Sequence, residues 1–254
     1  MCFDHDSRPP IEPIAGGALE HERLTLKASD GNQLLAFRAR ATAPSGAGIV
    51  ILPDVRGLHP YYEELALRFA ETGIDAVAID YFGRTAGLGS RDTDFEYAPH
   101  VKQLTYEGIL ADVKAGAAAV RERGRVVALF SIGFCMGGRY SFLAPTFDLG
   151  MSGAIGFYGW PIGVRQNSPA PVDVASEMEA PILGIFGGAD EGITSDAIAE
   201  FEHALVGAGV PHELITYPGA PHSFFDRKAG QFAEASTNAW RRTLRFIRAN
   251  TPAA

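Results

Sequence analysis

Cysteine is scarce in this chain: two residues in 254, Cys2 and Cys135. So few cannot form a disulfide framework, and no Cys/His cluster has zinc-site spacing or a redox C-x-x-C pattern. A bridge between the two is not expected, since one falls in an N-terminal tail and the other in a core turn. Long apolar runs are missing as well, none approaching the roughly 18 residues that span a bilayer. A basic excess is absent: 22 Lys and Arg face 30 Asp and Glu, a net charge of -8. That balance excludes the positive face a nucleic acid or an acidic membrane would need. It leaves room for a small anionic substrate, because a few local arginines can dominate a pocket. The opening "MCFDHDSRPP" has acids where a secretory signal carries basic residues, and no apolar stretch follows. A cytoplasmic protein is expected, and nothing demands more than a monomer.

What is present is an ordinary globular balance, 46% hydrophobic and 20% charged, at a length that suits one large domain over 1–254. Residues 1–20, rich in Pro, Gly and acids, read as a surface tail. "LTLKAS" and "LLAFRARA", separated by "DGNQ" at 30–33, carry a hairpin signal. The pattern then changes to continuous apolar runs alternating with amphipathic stretches that stop at glycine. "AGIVILPD", "DAVAIDYF", "VVALFSIGF", "GAIGFYG", "PILGIFGG" and "HELITYPG" read as strands. "YYEELALRFAETG", "LTYEGILADVKAGAAAVRERG", "MGGRYSFLA", "SDAIAEFEHALVGAG" and "STNAWRRTLRFIRAN" read as helices. A hairpin followed by strand–helix units predicts a mostly parallel sheet of about eight strands, helices on both faces, and an N-terminal antiparallel hairpin. Two post-strand connections are long, 83–103 and 161–180. In open parallel sheets such loops line the ligand crevice.

At 131–138 the chain reads "SIGFCMGG". Gly133-Phe134-Cys135-Met136-Gly137 has the G-x-nucleophile-x-G form of a strand that turns sharply into a helix and holds one side chain in a strained conformation. Glycines on either side are needed because side chains there would strike neighbouring backbone. A cysteine at the helix N-terminus gains thiolate character from the helix dipole. A buried core cysteine is the plainer reading, but packing alone does not call for three glycines around it. Phosphate-loop spacing is present between Gly133 and Gly138, yet Arg139-Tyr140 follows where Lys-Ser/Thr is required.

A cysteine nucleophile needs a base, and the base needs an orienter. Asp190 follows the strand "PILGIFGG", with Glu191 as its neighbouring rival. His222 follows "HELITYPG" in "YPGAPHSFFD". The chain order nucleophile, acid, histidine is that of α/β-hydrolases. His59 and His100 fall in loops that could approach the pocket, without the right chain position.

Together, "GFCMGG", "GGADEGIT" and "YPGAPHSFFD" resemble the dienelactone hydrolase family of α/β-hydrolases, from about Leu24 to the C-terminus. The cysteine in the elbow is the most specific part of the likeness. The resemblance implies a cofactor-independent hydrolase with no metal, in which a Cys135–His222–Asp190 triad opens a small, carboxylate-bearing lactone or ester through a thioester acyl-enzyme. It assigns the oxyanion hole to the backbone N–H groups of Val55, in "LPDVRGLH", and Met136. It implies that Asp54 stands where a glutamate contacts the resting cysteine. Being one methylene shorter, Asp54 either still reaches Cys135 or bonds nearby backbone N–H groups. For the substrate carboxylate the resemblance points to Arg84 and, with spacing one residue too long, Arg227; Arg56, beside the oxyanion loop, could serve instead. Surface salt bridges are the alternative for these arginines. Hydrolysis of thioesters or halogenated acids on the same residues, and a non-catalytic ligand-binding scaffold, are the competing functions.

Overall fold

Strand alternation sets the architecture. In the computed structural model, which describes residues 3–14 and 20–253, β1 (Glu20–Lys27) and β2 (Gln33–Arg40) form an antiparallel pair, with Lys27 opposite Gln33 next to the turn. β2 then pairs antiparallel with β4 (Asp75–Ile79), and every later pairing is parallel. With β3 (Ala47–Leu52), β5 (Ala128–Phe134), β6 (Gly153–Phe157), β7 (Ile182–Gly187) and β8 (His212–Tyr217), the sheet runs β1-β2-β4-β3-β5-β6-β7-β8.

The apolar runs are continuous because the central strands are covered on both sides. In β3, Ile49 and Ile51 face a cluster containing Leu65 and Phe69 of α1 (Pro60–Glu71) and Phe246 of α7 (Ala233–Ala249). Val50 and Leu52 face the opposite cluster, with Ile109, Val113 and Val120 of α4 (Tyr106–Arg121). Each fully buried Leu or Phe side chain here contributes about 2–3 kcal/mol. The short α2 (Gly83–Ala86) and α3 (Tyr97–Val101) lie in the first long connection; α5 (Met136–Leu143) follows β5, and α6 (Ser195–Ala208) follows β7. Thr105 and Thr194 cap α4 and α6 by accepting from the N–H groups of Gly108 and Ala197. No helix among the described residues is long and apolar enough to cross a membrane.

The N-terminal segment departs from the surface tail expected for 1–20. Phe3 is only 2% exposed, stacks on Tyr61 at 4.1 Å between ring centres, and lies 6.1 Å from Phe134 and 6.3 Å from Tyr158. Ser7 Oγ donates to Asp226 Oδ2 at 2.6 Å, and the Arg8 N–H to Asp226 Oδ1 at 3.1 Å. A lone phenylalanine among polar residues is drawn into the core because the aromatic gap there admits it. Residues 15–19 and Cys2 lie outside the described residues.

Candidate active site

Cys135 is the single residue between β5 and α5. Its backbone sits at φ 54°, ψ -114°, in left-handed territory that costs a non-glycine residue about 1–3 kcal/mol. The conformation is held at both ends. The Cys135 N–H donates to the Phe157 carbonyl at 3.0 Å, and the Cys135 carbonyl accepts from the Arg139 N–H at 3.2 Å. Glycine is obligatory on both sides: a Cβ on Gly133 would fall 1.9 Å from the Gly137 carbonyl oxygen, and one on Gly137 would fall 2.0 Å from that of Leu52. The side chain at 135 is thus fixed at the positive end of α5, where negative charge on sulfur is favoured.

Asp190 and His222 come together at the same edge of the sheet. The loops after β7 and β8 are tied by the Gly188 N–H to the Tyr217 carbonyl, 2.8 Å, and by the Ala189 N–H to the Ala220 carbonyl, 2.9 Å. Across this junction His222 Nδ1 and Asp190 Oδ2 are 2.6 Å apart. The other carboxylate oxygen, Oδ1, accepts the N–H groups of Gly192 at 2.8 Å and Ile193 at 3.3 Å. Burial by itself would raise the Asp190 carboxyl, but the bond from His222, its charge and the two backbone donors hold it below the usual carboxylate range. With Nδ1–H directed at the carboxylate, a neutral imidazole presents its lone pair at Nε2. That nitrogen is buried and has no hydrogen-bond partner among the described residues. Glu191, the rival acid, is exposed.

Two aromatic residues flank the imidazole at the carboxyl end of β6. Tyr158, at φ 40° just after β6, and Trp160 each have ring centres 4.9 Å from that of His222. Phe157, which accepts the Cys135 N–H, immediately precedes Tyr158. Trp160 is fixed in turn by Nε1–H donating to the Gly192 carbonyl at 2.9 Å. Sequence reasoning missed both; their only signal is two aromatics in "FYGW" directly after a strand.

The turn after β3 is shaped by tyrosines. The Asp54 N–H donates to Tyr62 Oη at 2.9 Å, and Tyr81 Oη donates to the Pro53 carbonyl at 3.1 Å. Tyr61 Oη donates to the Phe225 carbonyl at 2.6 Å, joining α1 to the His222 loop. Burial drives the hydroxyls of Tyr61, Tyr62 and Tyr81 well above their ordinary range, so they stay protonated, Tyr61 and Tyr81 as donors and Tyr62 as the acceptor of the Asp54 N–H. The Arg56 N–H goes to Asp54 Oδ1 at 2.8 Å and the Gly57 N–H to the Asp54 carbonyl at 3.1 Å. None of these bonds uses the N–H of Val55. Likewise the N–H of Met136, at the first position of α5, has no acceptor within its helix. Asp54 itself is 1% exposed; its Oδ2 makes no hydrogen bond among the described residues, and His59 Nε2 stands 3.8 Å from Oδ1.

The arginines are distributed otherwise than the sequence suggests. Arg84, expected over the pocket, commits its terminal nitrogens elsewhere: Nη2 donates to Asp112 Oδ1 at 2.8 Å and to the Gly108 carbonyl at 3.0 Å, and Nη1 pairs with Asp30. Arg227 faces Glu64, with Nη2 3.9 Å from the carboxylate, which Arg8 also approaches at 3.3 Å. Arg56 keeps Nε and Nη1 buried, without hydrogen-bond partners among the described residues. Two arginines to which the sequence reading gave no part in the loops, Arg91 and Arg139, set the two long connections. Arg91 forms a buried bidentate pair with Asp80, at 3.2 and 2.8 Å, that pins the 83–103 connection. Arg139 reaches into the second loop and donates to the carbonyls of Trp160, Ile162, Gly163 and Pro169 at 2.7 to 3.2 Å. A cavity of about 470 Å³ lies between α1 and the first loop, lined by Leu58, His59, Leu88 and Arg91 among others; Cys135, Asp190 and His222 are not part of its wall. Among the described residues no group of three His, Cys, Asp or Glu side chains is placed to hold a metal ion.

An eight-stranded, mostly parallel sheet whose strand ends carry an elbow and a His–Asp pair defines an α/β-hydrolase-fold enzyme. Comparison with known proteins narrows the class. The sequence profile of the dienelactone hydrolase family matches residues 34–251. A Salmonella typhimurium protein named "Putative carboxymethylenebutenolidase" is 30% identical over 235 residues, 88% of this chain and 86% of its own length. The "Carboxymethylenebutenolidase" of Rhodococcus opacus is 26% identical, covering 97% of this chain and 96% of its own. The crystal structure of a "Putative Dienelactone Hydrolase" from Klebsiella pneumoniae superposes with a TM-score of 0.79 at 27% identity, over 91% of this chain and 99% of that one. The chain therefore belongs to the dienelactone hydrolase family and is an enzyme of the ester- and lactone-hydrolase class.

Proposed function

We propose that the chain hydrolyses a small, carboxylate-bearing lactone or ester with Cys135 as nucleophile, His222 as base and Asp190 as the group that orients the imidazole. The observation that carries this reading is the 2.6 Å His222–Asp190 bond, made by loops after β7 and β8 in a sheet whose β5 ends in an elbow with Cys135 at φ 54°. Nε2 of His222 takes the thiol proton, and the sulfur attacks the substrate carbonyl to form a tetrahedral adduct. The N–H groups of Val55 and Met136 would hold the oxyanion; losing one such donor costs on the order of 3 kcal/mol. The imidazolium, stabilised by Asp190, returns the proton to the departing alkoxide as the carbon–oxygen bond breaks. In a lactone that alkoxide remains tethered to the acyl group. A water deprotonated by His222 then attacks the thioester, releasing the acid and restoring the thiol.

The test uses an activated aryl ester and mass spectrometry of the intact protein. Rapid quenching is expected to trap an acyl adduct on Cys135, and Cys135→Ala is expected to abolish turnover with unchanged circular dichroism. Full activity in that variant removes the thiol from the mechanism. An adduct on Asp190 instead would indicate carboxylate alkylation, the chemistry suited to halogenated acids.

A further inference from the structure

A substrate carboxylate needs a cation at the mouth of the site, and most arginines there are already engaged. Arg84 is held by Asp112 and Asp30, Arg91 by Asp80, and Arg227 faces Glu64. Arg139 is buried among carbonyls. Arg56 has two of its three guanidinium nitrogens sealed from solvent, so an incoming anion cannot meet them as a fork. Arg165 differs from all of these. It is exposed and enters no ion pair among the described residues, and its guanidinium carbon lies over the Trp160 ring, 4.8 Å from the centroid.

That stack leads directly to the catalytic histidine. Trp160 is 4.9 Å from the His222 ring, so guanidinium and imidazole are separated by no more than the sum of those two distances. The platform is also stiff. Trp160 Nε1 is bonded to the Gly192 carbonyl, and the Gly192 N–H to Asp190. Beyond Arg165, Gln166 and Asn167 take positive φ values of 46° and 55°, and the Arg165 carbonyl accepts both the Ser168 N–H at 2.8 Å and its hydroxyl at 2.7 Å. The Arg139 guanidinium brackets this turn through the Gly163 and Pro169 carbonyls. A cation stacked on an aromatic face loses little freedom when it binds, and its outer edge keeps a pair of N–H groups for a carboxylate.

We infer that Arg165, stacked on Trp160, is the residue that receives the substrate's carboxylate and so selects anionic esters or lactones. The inference rests on the proposed reading that the substrate is anionic. The bound anion would lie along the rim of the site while its ester carbonyl reaches Cys135. Selection then acts at binding and not on the chemistry.

The test compares two matched aryl esters, one with a carboxylate at the end of its acyl chain and one with a neutral amide there. Wild type, Arg165→Gln, Arg165→Lys and Arg56→Gln are assayed with both. The wild type is expected to prefer the anionic ester, and Arg165→Gln to raise KM for it about tenfold, with kcat unchanged and the neutral ester unaffected. Arg165→Lys is expected to recover part of the loss, since it keeps the charge but not the fork. An undiminished preference in Arg165→Gln, or its loss in Arg56→Gln alone, overturns the assignment while leaving the anionic-substrate reading intact. Absence of any preference in the wild type overturns both. A fall in kcat for the neutral ester in Arg165→Gln shows a merely structural role and also overturns it.

Discussion

Two histidine–aspartate pairs sit at the same end of the sheet, and only one is built as a dyad. In His222–Asp190 the carboxylate divides its tasks, one oxygen fixed by the Gly192 and Ile193 N–H groups and the other left for Nδ1 at 2.6 Å. In His59–Asp54 the oxygen nearest the ring, 3.8 Å away, already accepts the Arg56 N–H, while the second oxygen makes no hydrogen bond among the described residues. Proximity of an imidazole to a carboxylate is therefore not enough. The backbone must occupy the oxygen that is not needed, so that the other is aimed at the ring. At Asp190 the turn into α6 does this; at Asp54 the turn captures the oxygen on the histidine's side.

The sharpest way to break this comparison is to disable each pair in turn. Asp190→Asn keeps the shape but removes the charge that favours imidazolium, and is expected to lower kcat on an aryl ester by about 10²–10⁴-fold. Asp54→Asn is expected to cost less than about tenfold, since its Oδ1 bond to the Arg56 N–H survives with an amide oxygen. Comparable losses in the two variants would refute the distinction and give Asp54 a role in controlling the thiol, as the family resemblance suggests. His59→Gln should change kcat least of the three, measured on the same ester.

Stability against pH sharpens the contrast further. The Asp190 carboxyl is held below its unfolded value, so it stabilises the fold above about pH 4 and loses that contribution as pH falls through its folded pKa. Urea midpoints of wild type and Asp190→Asn should therefore diverge above about pH 4 and converge below it. Asp112 has the opposite sign. Burial, against the opposing pull of Arg84 and Asn32, pushes its carboxyl up to about 6. Its favourable contribution is fully present below about pH 4 and lost as pH rises through about 6. Asp112→Asn should flatten the decline over that interval, an effect of at most about 3 kcal/mol.

The sequence was informative where backbone position decides the outcome. Unbroken apolar runs such as "AGIVIL" mark strands covered on both faces, and the ends of those strands locate Cys135, Asp190 and His222 on one edge. Side-chain direction was not legible in the same way. Arg84 stands at a strand end in the sequence, but its partner Asp112 is 28 residues away on α4, and only the packing of α4 against the sheet brings them together. Trp160 and Tyr158 read equally well as core aromatics, because a ring after a strand serves packing and a site alike. Phe3 had no periodic neighbours to announce it.

Phe3 carries a practical consequence. Its ring closes a stack that continues through Tyr61 to the carbonyl of Phe225, three residues beyond His222. A protein trimmed to begin at β1 would leave that space empty, at a cost of about 3–5 kcal/mol for a lost buried phenylalanine, and would deprive the Asp226 loop of the bond it accepts from Ser7. Such a shortened enzyme would be expected to fold less tightly and to hold its imidazole less steadily, so purification handles are better kept away from this end.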